Sequence, residues 1–248
     1  MEPVLSIVMP AYNEEGCVNN VVTKWTDLLN KYFKDENVKL IVINDGSKDK
    51  TGAILDELSE KNKQLLVVHQ INGGHGKAVV NGYKKAIEIG SQWVFQVDSD
   101  DQFFPDDFIK LWKKRNVSDF ILGFRKIRYD APIRLVITRV LRLSLWLIFG
   151  CRIKDSNIPF RLIKGSYLNK LVNQLSTPPP FAPNIFIAVL AKKSGQQLLN
   201  IPITHIERKT GTVSILQLKL LKVCVKSFEE LFLFRAQLSK KIKSIQQS

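Results

Sequence analysis

Trp93-Val-Phe-Gln-Val-Asp98-Ser-Asp-Asp-Gln102 joins a short, largely apolar run to a loop that carries three carboxylates. The apolar part has the length and composition of a strand buried on both faces of a sheet. Asp98 and Asp100, with one residue between them, can reach a single cation beyond the end of that strand. Mg²⁺ and Mn²⁺ prefer such oxygen ligands. A solvated turn is the alternative, but the position directly after a buried strand favours a metal site.

The same order of strand, polar loop and helix recurs on both sides of this stretch. Apolar runs at Val4–Met9, Leu40–Ile43 and Leu65–Val68 precede it, and another run at Phe120–Phe124 follows it. Such alternation is typical of an α/β fold with a mostly parallel central sheet. Ligands bind at the carboxyl ends of the strands in these sheets, so the loops after the strands form the candidate site.

The loop after the second run contains Asp45, followed by Gly46 and Ser47. An acidic side chain at this place can accept hydrogen bonds from a ribose hydroxyl or a base N–H. A simple Asp-Gly turn, with Ser47 or Asp49 capping the next helix, explains the same residues. Both interpretations stay open at this point.

The loop after the third run, Asn72-Gly-Gly-His-Gly-Lys77, resembles a phosphate-binding loop without matching the Walker A pattern. That pattern requires Gly at position 71 and Ser or Thr at position 78, where this chain has Ile71 and Ala78. The glycines still allow backbone N–H groups to approach an anion at a helix start, and Lys77 adds positive charge. The loop therefore favours binding of a nucleotide diphosphate over a P-loop ATPase.

Charge divides the chain into two halves. Residues 1–109 hold 11 Lys or Arg against 17 Asp or Glu, whereas residues 110–248 hold 26 against 6, within a formal net charge of +14. A basic surplus is typical of proteins that bind nucleic acid or an anionic membrane. Here the basic residues alternate with aliphatic ones, whereas nucleic-acid-binding modules place aromatic residues among them. We therefore expect an anionic membrane surface as partner and no nucleic acid, and keep a basic nucleic-acid-binding module as a distant alternative.

Three cysteines, Cys17, Cys151 and Cys224, are odd in number and far apart, as is typical of reduced thiols in a cytosolic protein. The first residues lack a basic segment and are interrupted by Pro10, which argues against a secretory signal. The most apolar run, Leu143–Cys151, is too short to cross a bilayer. We therefore expect a cytoplasmic protein that is peripherally associated with the cytoplasmic face of the membrane through basic helices.

Taken together, the loops resemble family 2 of the glycosyltransferases, which have the GT-A fold: a Rossmann-like α/β fold with a mostly parallel sheet flanked by helices. The resemblance covers about residues 4–215 and rests on four segments, Ser6–Glu14, Val42–Thr51, Gly74–Ala78 and Asp98–Gln102. Within the family, the chain is most similar to dolichyl- and polyprenyl-phosphate sugar transferases of the dolichyl-phosphate mannose synthase kind. The resemblance implies a catalytic domain at 1–215, with a nucleotide-sugar half at 1–109 and an acceptor half at 110–215. A basic, amphipathic helical tail would follow at 216–248.

The resemblance also implies a role for individual residues. The donor nucleotide would contact Pro10, Tyr12, Glu14, Asp45, Lys77 and Asp98. Mg²⁺ or Mn²⁺ would be ligated by Asp100 and Gln102. The acceptor phosphate would be held by Arg125, Arg134, Thr138 and Arg208. The catalytic residues would be Asp98, Asp100, Arg125, Arg134 and Arg208.

The implied reaction is a metal-dependent, inverting transfer of a hexose from a UDP- or GDP-sugar to a membrane polyprenyl (dolichyl or undecaprenyl) phosphate. A phosphate oxygen is already anionic near neutral pH and needs no general base, whereas a hydroxyl acceptor needs one, for which Asp101 is the nearby carboxylate. The chain departs from the family pattern in its acceptor half, with Asn184 where many members have an acidic residue and Thr138 in place of Ser. A family 2 enzyme acting on a hydroxyl of a surface polysaccharide or lipid-linked glycan is therefore the alternative.

Overall fold

A computed structural model describes residues 2–126, 132–206 and 217–247, and of residues 132–134 and 217–226 it describes the backbone alone. The first half alternates strands and helices, in the order β1 (Leu5–Ala11), α1 (Val18–Tyr32), β2 (Val38–Asn44), α2 (Thr51–Lys61), β3 (Leu65–His69), α3 (His75–Glu88), β4 (Trp93–Val97), α4 (Pro105–Trp112) and β5 (Phe120–Arg125). The second half continues with α5 (Pro132–Phe149), β6 (Phe160–Lys164), α6 (Gly165–Val172), α7 (Pro183–Lys193), β7 (Leu198–Ile203) and α8 (Gln217–Gln247). Each of the five predicted apolar runs is a strand.

The described strands form one seven-stranded sheet in the order β3-β2-β1-β4-β6-β5-β7. Strand β6 runs antiparallel to both β4 and β5, and the other pairs are parallel. Every residue of β1 is buried, which is why its sequence is apolar almost throughout rather than alternating. The prediction of an α/β fold with a mostly parallel central sheet is confirmed.

An aromatic cluster supports the middle of the sheet beneath the carboxylate loop. The ring of Phe95 on β4 lies 4.6 Å from that of Phe108, 4.8 Å from Phe160 and 5.4 Å from Trp25, measured between ring centroids. Such ring pairs add about 0.5–1.5 kcal/mol each beyond their buried area. Strand β4 is thereby held firmly against α1, α4 and β6, and it is a rigid support for the loop that follows it.

The strand order places the candidate loops around one crevice. Strand β1 lies between β2 and β4, so the order reverses there, and a crevice opens beyond the carboxyl ends of β1 and β4. Because β6 is antiparallel and its first residue, Phe160, is paired with Val97 at the end of β4, the segment before β6 reaches the same edge. Residues from both halves of the sequence therefore border this crevice.

Helices α5 and α8 correspond to the basic, apolar segments of the second half. Within the ranges described, no helix is long and apolar enough to cross a membrane. The predicted division of the chain at residue 215 stays a prediction, because residues 207–216 lie outside the described ranges.

Candidate active site

The loop after β1 is fastened to the loop after β2. The backbone N–H of Asn13 donates to Ser47 Oγ (3.1 Å), and Asn13 Oδ1 accepts from the N–H of Lys48 (2.8 Å). One residue on, the N–H of Glu14 donates to Thr51 Oγ1 (2.8 Å). Asn13 has a positive φ of 53°, which asparagine tolerates better than most residues. This turn reverses the chain at the mouth of the crevice.

Three predicted donor-binding residues lie in or beside this turn. Pro10 is buried within β1, Glu14 is buried behind the turn, and Tyr12 is 37% exposed. Cys17 links the turn to the carboxylate loop, because its thiol donates to Glu14 Oε2 (3.2 Å) and to the carbonyl of Ser99 (3.3 Å). Of the three, Tyr12 is therefore the side chain presented at the surface of the crevice.

Asp45 holds the glycine-rich loop in place. Its Oδ1 accepts from Gln70 Nε2 (2.6 Å) and from the N–H of Gly73 (2.8 Å), and its Oδ2 accepts from the N–H of Gly74 (2.9 Å). The neighbouring Gly46 has φ +67°, and a Cβ there would lie 2.7 Å from a backbone nitrogen of the glycine-rich loop. The helix-capping interpretation finds support nearby, since Asp49 Oδ1 accepts from the N–H of the first residue of α2 (3.0 Å), whereas a contact of Asp45 with a ribose or base stays a prediction. The carboxylate of Asp45 shapes the loop that a nucleotide would meet.

Asp98 lies at the end of β4, with a quarter of its side chain exposed. Burial raises the pKa of its carboxyl group above the ordinary value, and the electrostatic interaction with His75 and a hydrogen bond from Gln96 oppose that rise. His75 Nε2 lies 4.0 Å from Asp98 Oδ1, whereas Lys77 is exposed with its Cδ beside Gly73. The sequence interpretation selected Lys77 from this loop and missed His75, whose position as the first residue of α3 brings it to Asp98.

Asp101 points away from the other two carboxylates. It has φ 56°, and its carboxylate accepts from Lys24 Nζ at 2.7 and 2.9 Å and from Asn20 Nδ2 at 3.1 Å, both on α1. Asp101 therefore anchors the loop to α1. The carboxylate considered as a general base for a hydroxyl acceptor is therefore engaged in an ion pair with Lys24.

Asp100 and Gln102 are both partly buried, and Asp100 Oδ1 accepts a long hydrogen bond from the N–H of Gln102 (3.4 Å). The amide of Gln102 is oriented from the far side, because its Nε2 donates to the carbonyl of Ile206 (3.2 Å). Because the nitrogen of this amide is used in that hydrogen bond, the oxygen of Gln102 is the atom that could ligate a metal. Across the described ranges, no group of three or more His, Cys, Asp or Glu side chains could hold a metal by itself. The oxygen donors of this loop fit a hard cation that takes its other ligands from a bound diphosphate.

A pocket of about 120 Å³ opens between β5, α5 and the segment before β6. Its polar lining includes three cationic side chains, Arg125, Arg142 and Lys154, together with Thr138 and Asp155. Arg125 and Asp155 form a two-pronged ion pair, with Nε to Oδ2 at 2.9 Å and Nη2 to Oδ1 at 3.1 Å.

The structure thus brings together two of the four residues predicted to hold the acceptor phosphate, Arg125 and Thr138. Arg134 is described only as backbone of α5, and Arg208 lies outside the described ranges. Arg142, Lys154 and Asp155 were missed as site residues. For Arg142 and Lys154 the signal was the basic surplus of the second half, which did not indicate which cations would converge on one pocket.

The fold and the loops at its crevice agree with what a comparison of the sequence with known families shows. Residues 6–178 match the model of the family described as "Glycosyl transferase family 2". The chain belongs to this family, and its fold is the GT-A fold. It is accordingly a glycosyltransferase.

Two relatives with similar sequences and one solved structure with a similar fold are informative. The chain is 28% identical over 225 residues to the UDP-N-acetylglucosamine–dolichyl-phosphate N-acetylglucosaminyltransferase of Methanococcus voltae, covering 83% of this chain and 86% of that one. It is 26% identical over 227 residues to a dolichyl-phosphate beta-glucosyltransferase of Trichomonas vaginalis, covering 85% and 68%. Among solved structures, glucosyl-3-phosphoglycerate synthase from Mycobacterium tuberculosis, in complex with Mn²⁺ and UDP-glucose, superposes with a TM-score of 0.66. That match is 17% identical and covers 94% of this chain and 79% of that one.

Proposed function

We propose that this glycosyltransferase moves a sugar, with inversion and with the help of Mg²⁺ or Mn²⁺, from a UDP- or GDP-sugar to a membrane polyprenyl phosphate. The observation that carries the proposal is the cationic pocket of Arg125, Arg142 and Lys154, bordering the same crevice as Asp98. Arginine and lysine at one pocket are suited to an anionic phosphate. The names of the relatives, dolichyl-phosphate sugar transferases, agree with such an acceptor.

On the donor side, the residues of the crevice bind and orient the nucleotide. Tyr12 would lie against the base or ribose, and the loop shaped by Asp45 would meet the ribose and the diphosphate. Asp100 and Gln102 would hold the cation, which when bound supplies positive charge to the departing nucleoside diphosphate. Asp98 and His75 would border the diphosphate and the sugar. Inversion follows if the acceptor oxygen attacks from the side opposite the diphosphate.

On the acceptor side, the phosphate would be received in a pocket whose central cation is already oriented. Asp155 occupies the edge of the Arg125 guanidinium formed by Nε and Nη2, which fixes the plane of that group before a ligand arrives. Thr138 offers a hydroxyl, and Arg142 and Lys154 add positive charge. A phosphate oxygen attacks as an anion and needs no base. The pairing of Asp101 with Lys24 supports this choice over a hydroxyl acceptor, because it occupies the neighbouring carboxylate.

The same helix that lines the pocket offers a surface for a membrane. Val136, Val140, Leu143 and Leu147 are spaced by four, three and four residues along α5, so they share one face, and they are 45–67% exposed. Arg139 and Arg142 are exposed beside them. An apolar helix face edged with arginines is suited to the boundary of an anionic bilayer. We propose that the protein attaches there peripherally, on the cytoplasmic face, where a polyprenyl phosphate is presented.

The decisive experiment incubates the full chain with a panel of labelled UDP- and GDP-sugars, Mn²⁺ or Mg²⁺, and a short polyprenyl phosphate. The expected product is an acid-labile lipid phosphate sugar in the organic phase that disappears when the cation is chelated. Label that enters only a polysaccharide or lipid-linked glycan would support the hydroxyl alternative. No transfer to any of these acceptors, by protein that binds the donor, would refute both.

A further inference from the structure

A buried set of hydrogen bonds runs behind the crevice from the donor side to the acceptor pocket. We infer that Gln96 and Asn184 are positioning residues, which hold the carboxylate of Asp98 in the orientation that the donor requires. The inference rests on the proposed function, since it assumes that Asp98 contacts the donor. It assigns a role to two neutral side chains that touch neither donor nor acceptor.

Gln96 is a polar residue inside an otherwise apolar strand, and it is fully buried. Its Oε1 accepts from the hydroxyl of Tyr83 (2.8 Å) and from Asn184 Nδ2 (2.8 Å). Because two donors hold the oxygen, the nitrogen of the amide must face the other way. There Nε2 donates to Asp98 Oδ1 at 3.4 Å. Residues 96 and 98 are two apart along the chain, so they emerge on the same side of β4.

Asn184 fixes the orientation of that amide and is itself fixed by the fold. It lies in the first turn of α7 and is 2% exposed. Its Oδ1 lies 3.2 Å from the hydroxyl of Tyr83, whose single proton is shared between this oxygen and the closer Gln96 Oε1. Its main-chain carbonyl accepts from Arg161 Nη1 (2.9 Å). Asn184 therefore joins the neutral side chains behind Asp98 to a buried cation.

Arg161 is fully buried, and its guanidinium donates to the main-chain carbonyls of Ser156 (3.1 Å), Ile158 (2.6 and 3.0 Å) and Asn184. Burial lowers the pKa of this guanidinium, and the negative charges of Asp98 and Asp155 oppose that decrease. The positive charge of Arg161 thus interacts with the carboxylate of Asp98 on the donor side and with that of Asp155 at the acceptor pocket. The neutral side-chain amides of Gln96 and Asn184 link Arg161 to Asp98.

As a consequence, the carboxylate of Asp98 receives an N–H of Gln96 on the side that faces the protein interior. A carboxylate at position 184 would draw the Gln96 nitrogen toward itself and turn the amide oxygen toward Asp98, where it would repel. Removing the amide at position 96 or 184 would leave Asp98 free to turn. Loss of such outer partners weakens binding by about 10–100-fold where they support a metal ligand, and for Asp98, which would border the diphosphate, we expect the lower end of that range.

The test measures the dissociation constants of UDP and GDP with Mn²⁺ by calorimetry, for the wild-type chain and for Gln96→Met, Asn184→Leu and the double variant. We expect each single change to weaken nucleotide binding about tenfold. Because both act through one path, the double variant should also lose about tenfold and not about a hundredfold. Asn184→Asp keeps the shape but removes the N–H₂ donor, so it should bind as weakly as Asn184→Leu. A role in packing alone predicts that Asn184→Asp recovers binding.

A matched control removes another buried hydrogen bond, far from the crevice. Ser6 Oγ and Ser91 Oγ lie 2.7 Å apart in the interior, and Ser91→Ala should lower the unfolding temperature without changing the dissociation constant. Folding of each variant is verified by circular dichroism. Binding by the variants within twofold of wild type, or a double variant whose loss is the product of the two single losses, would overturn the inference alone. Wild-type protein that binds neither nucleotide would overturn the proposed function as well.

Discussion

The guanidinium of Arg125 and the carboxylate of Asp155 meet edge to edge, with only 11% and 8% of the two side chains exposed to solvent. They connect the end of β5 to the segment that leads into β6. An ion pair removed this far from water gains little over a well-packed apolar pair, whereas losing one partner leaves a charge uncompensated. Replacing either partner alone should therefore lower the stability of the fold.

Asp155→Ala should lower the free energy of unfolding by about 3 kcal/mol, because Arg125 would keep its charge without a partner. Urea denaturation followed by tryptophan fluorescence measures this. The double variant Arg125→Met, Asp155→Leu should regain most of the loss in stability while remaining unable to use the acceptor. A double variant as unstable as the two single variants combined would contradict this account.

Asp100→Ala should reduce cation-dependent transfer by about a hundredfold or more, since the site loses a charged ligand where negative charge develops. Steady-state transfer assays at saturating Mn²⁺ measure the loss, and the unfolding temperature should be almost unchanged because a loop carboxylate contributes little packing. Asp101→Asn is the matched control on the same loop. It removes a partly exposed ion pair with Lys24, which is worth about 0–1 kcal/mol, and should leave transfer nearly intact. Equal losses in both variants would argue against a ligand role specific to Asp100.

Asp45→Ala should loosen the glycine-rich loop, because three hydrogen bonds to the carboxylate disappear together. Bonds to a charged acceptor contribute about 1.5–3 kcal/mol each before relaxation, so we expect a loss of roughly 2–3 kcal/mol in stability. Hydrogen exchange at the amides of Gly73 and Gly74 should accelerate locally. Unchanged protection of those two amides would show that the loop is held by other contacts.

The paired change Leu143→Ser and Leu147→Ser should weaken binding to anionic vesicles by about a hundredfold or more, since burying each leucine contributes about 1.5–3 kcal/mol. Sedimentation with phosphatidylserine vesicles measures it, and wild-type protein should bind at low salt and dissociate at high salt. Ile71→Ser is the control, because Ile71 is 90% exposed in the glycine-rich loop, away from α5. Wild-type protein that stays in the supernatant at both salt concentrations would refute the membrane proposal.

Much of the fold could be predicted because each of the strands β1 to β5 is a largely apolar run followed by polar residues. Buried parallel strands require that pattern, and Trp93–Val97 begins and ends where the pattern does. The direction of β6 was not predictable in this way. A buried antiparallel strand such as Phe160–Lys164 has the same apolar character as a parallel one, and only the path of the connection decides its direction.

Site residues could be predicted where they lie together in one short loop directly after a strand, as Asp98, Asp100 and Gln102 do. They could not be predicted where partners come from distant segments. Nothing local distinguishes Asp101, paired with a lysine of α1, from the carboxylates on either side of it. Gln96 was visible as a polar residue in an apolar strand, but its partner Asn184 lies 88 positions away. Such contacts are set by the fold as a whole.

The antiparallel course of β6 has a consequence for how enzymes of this architecture diverge. The chain leaves the sheet at Arg125 and re-enters it at Phe160, on the same edge, with α5 and the cationic pocket lying in between. This excursion can lengthen, shorten or be exchanged between lineages without altering any strand pairing. The loops after β1, β2, β3 and β4 lie outside it. Under the proposed function, substitutions confined to this segment would change the acceptor that the enzyme uses while leaving the loops proposed to bind the donor unchanged.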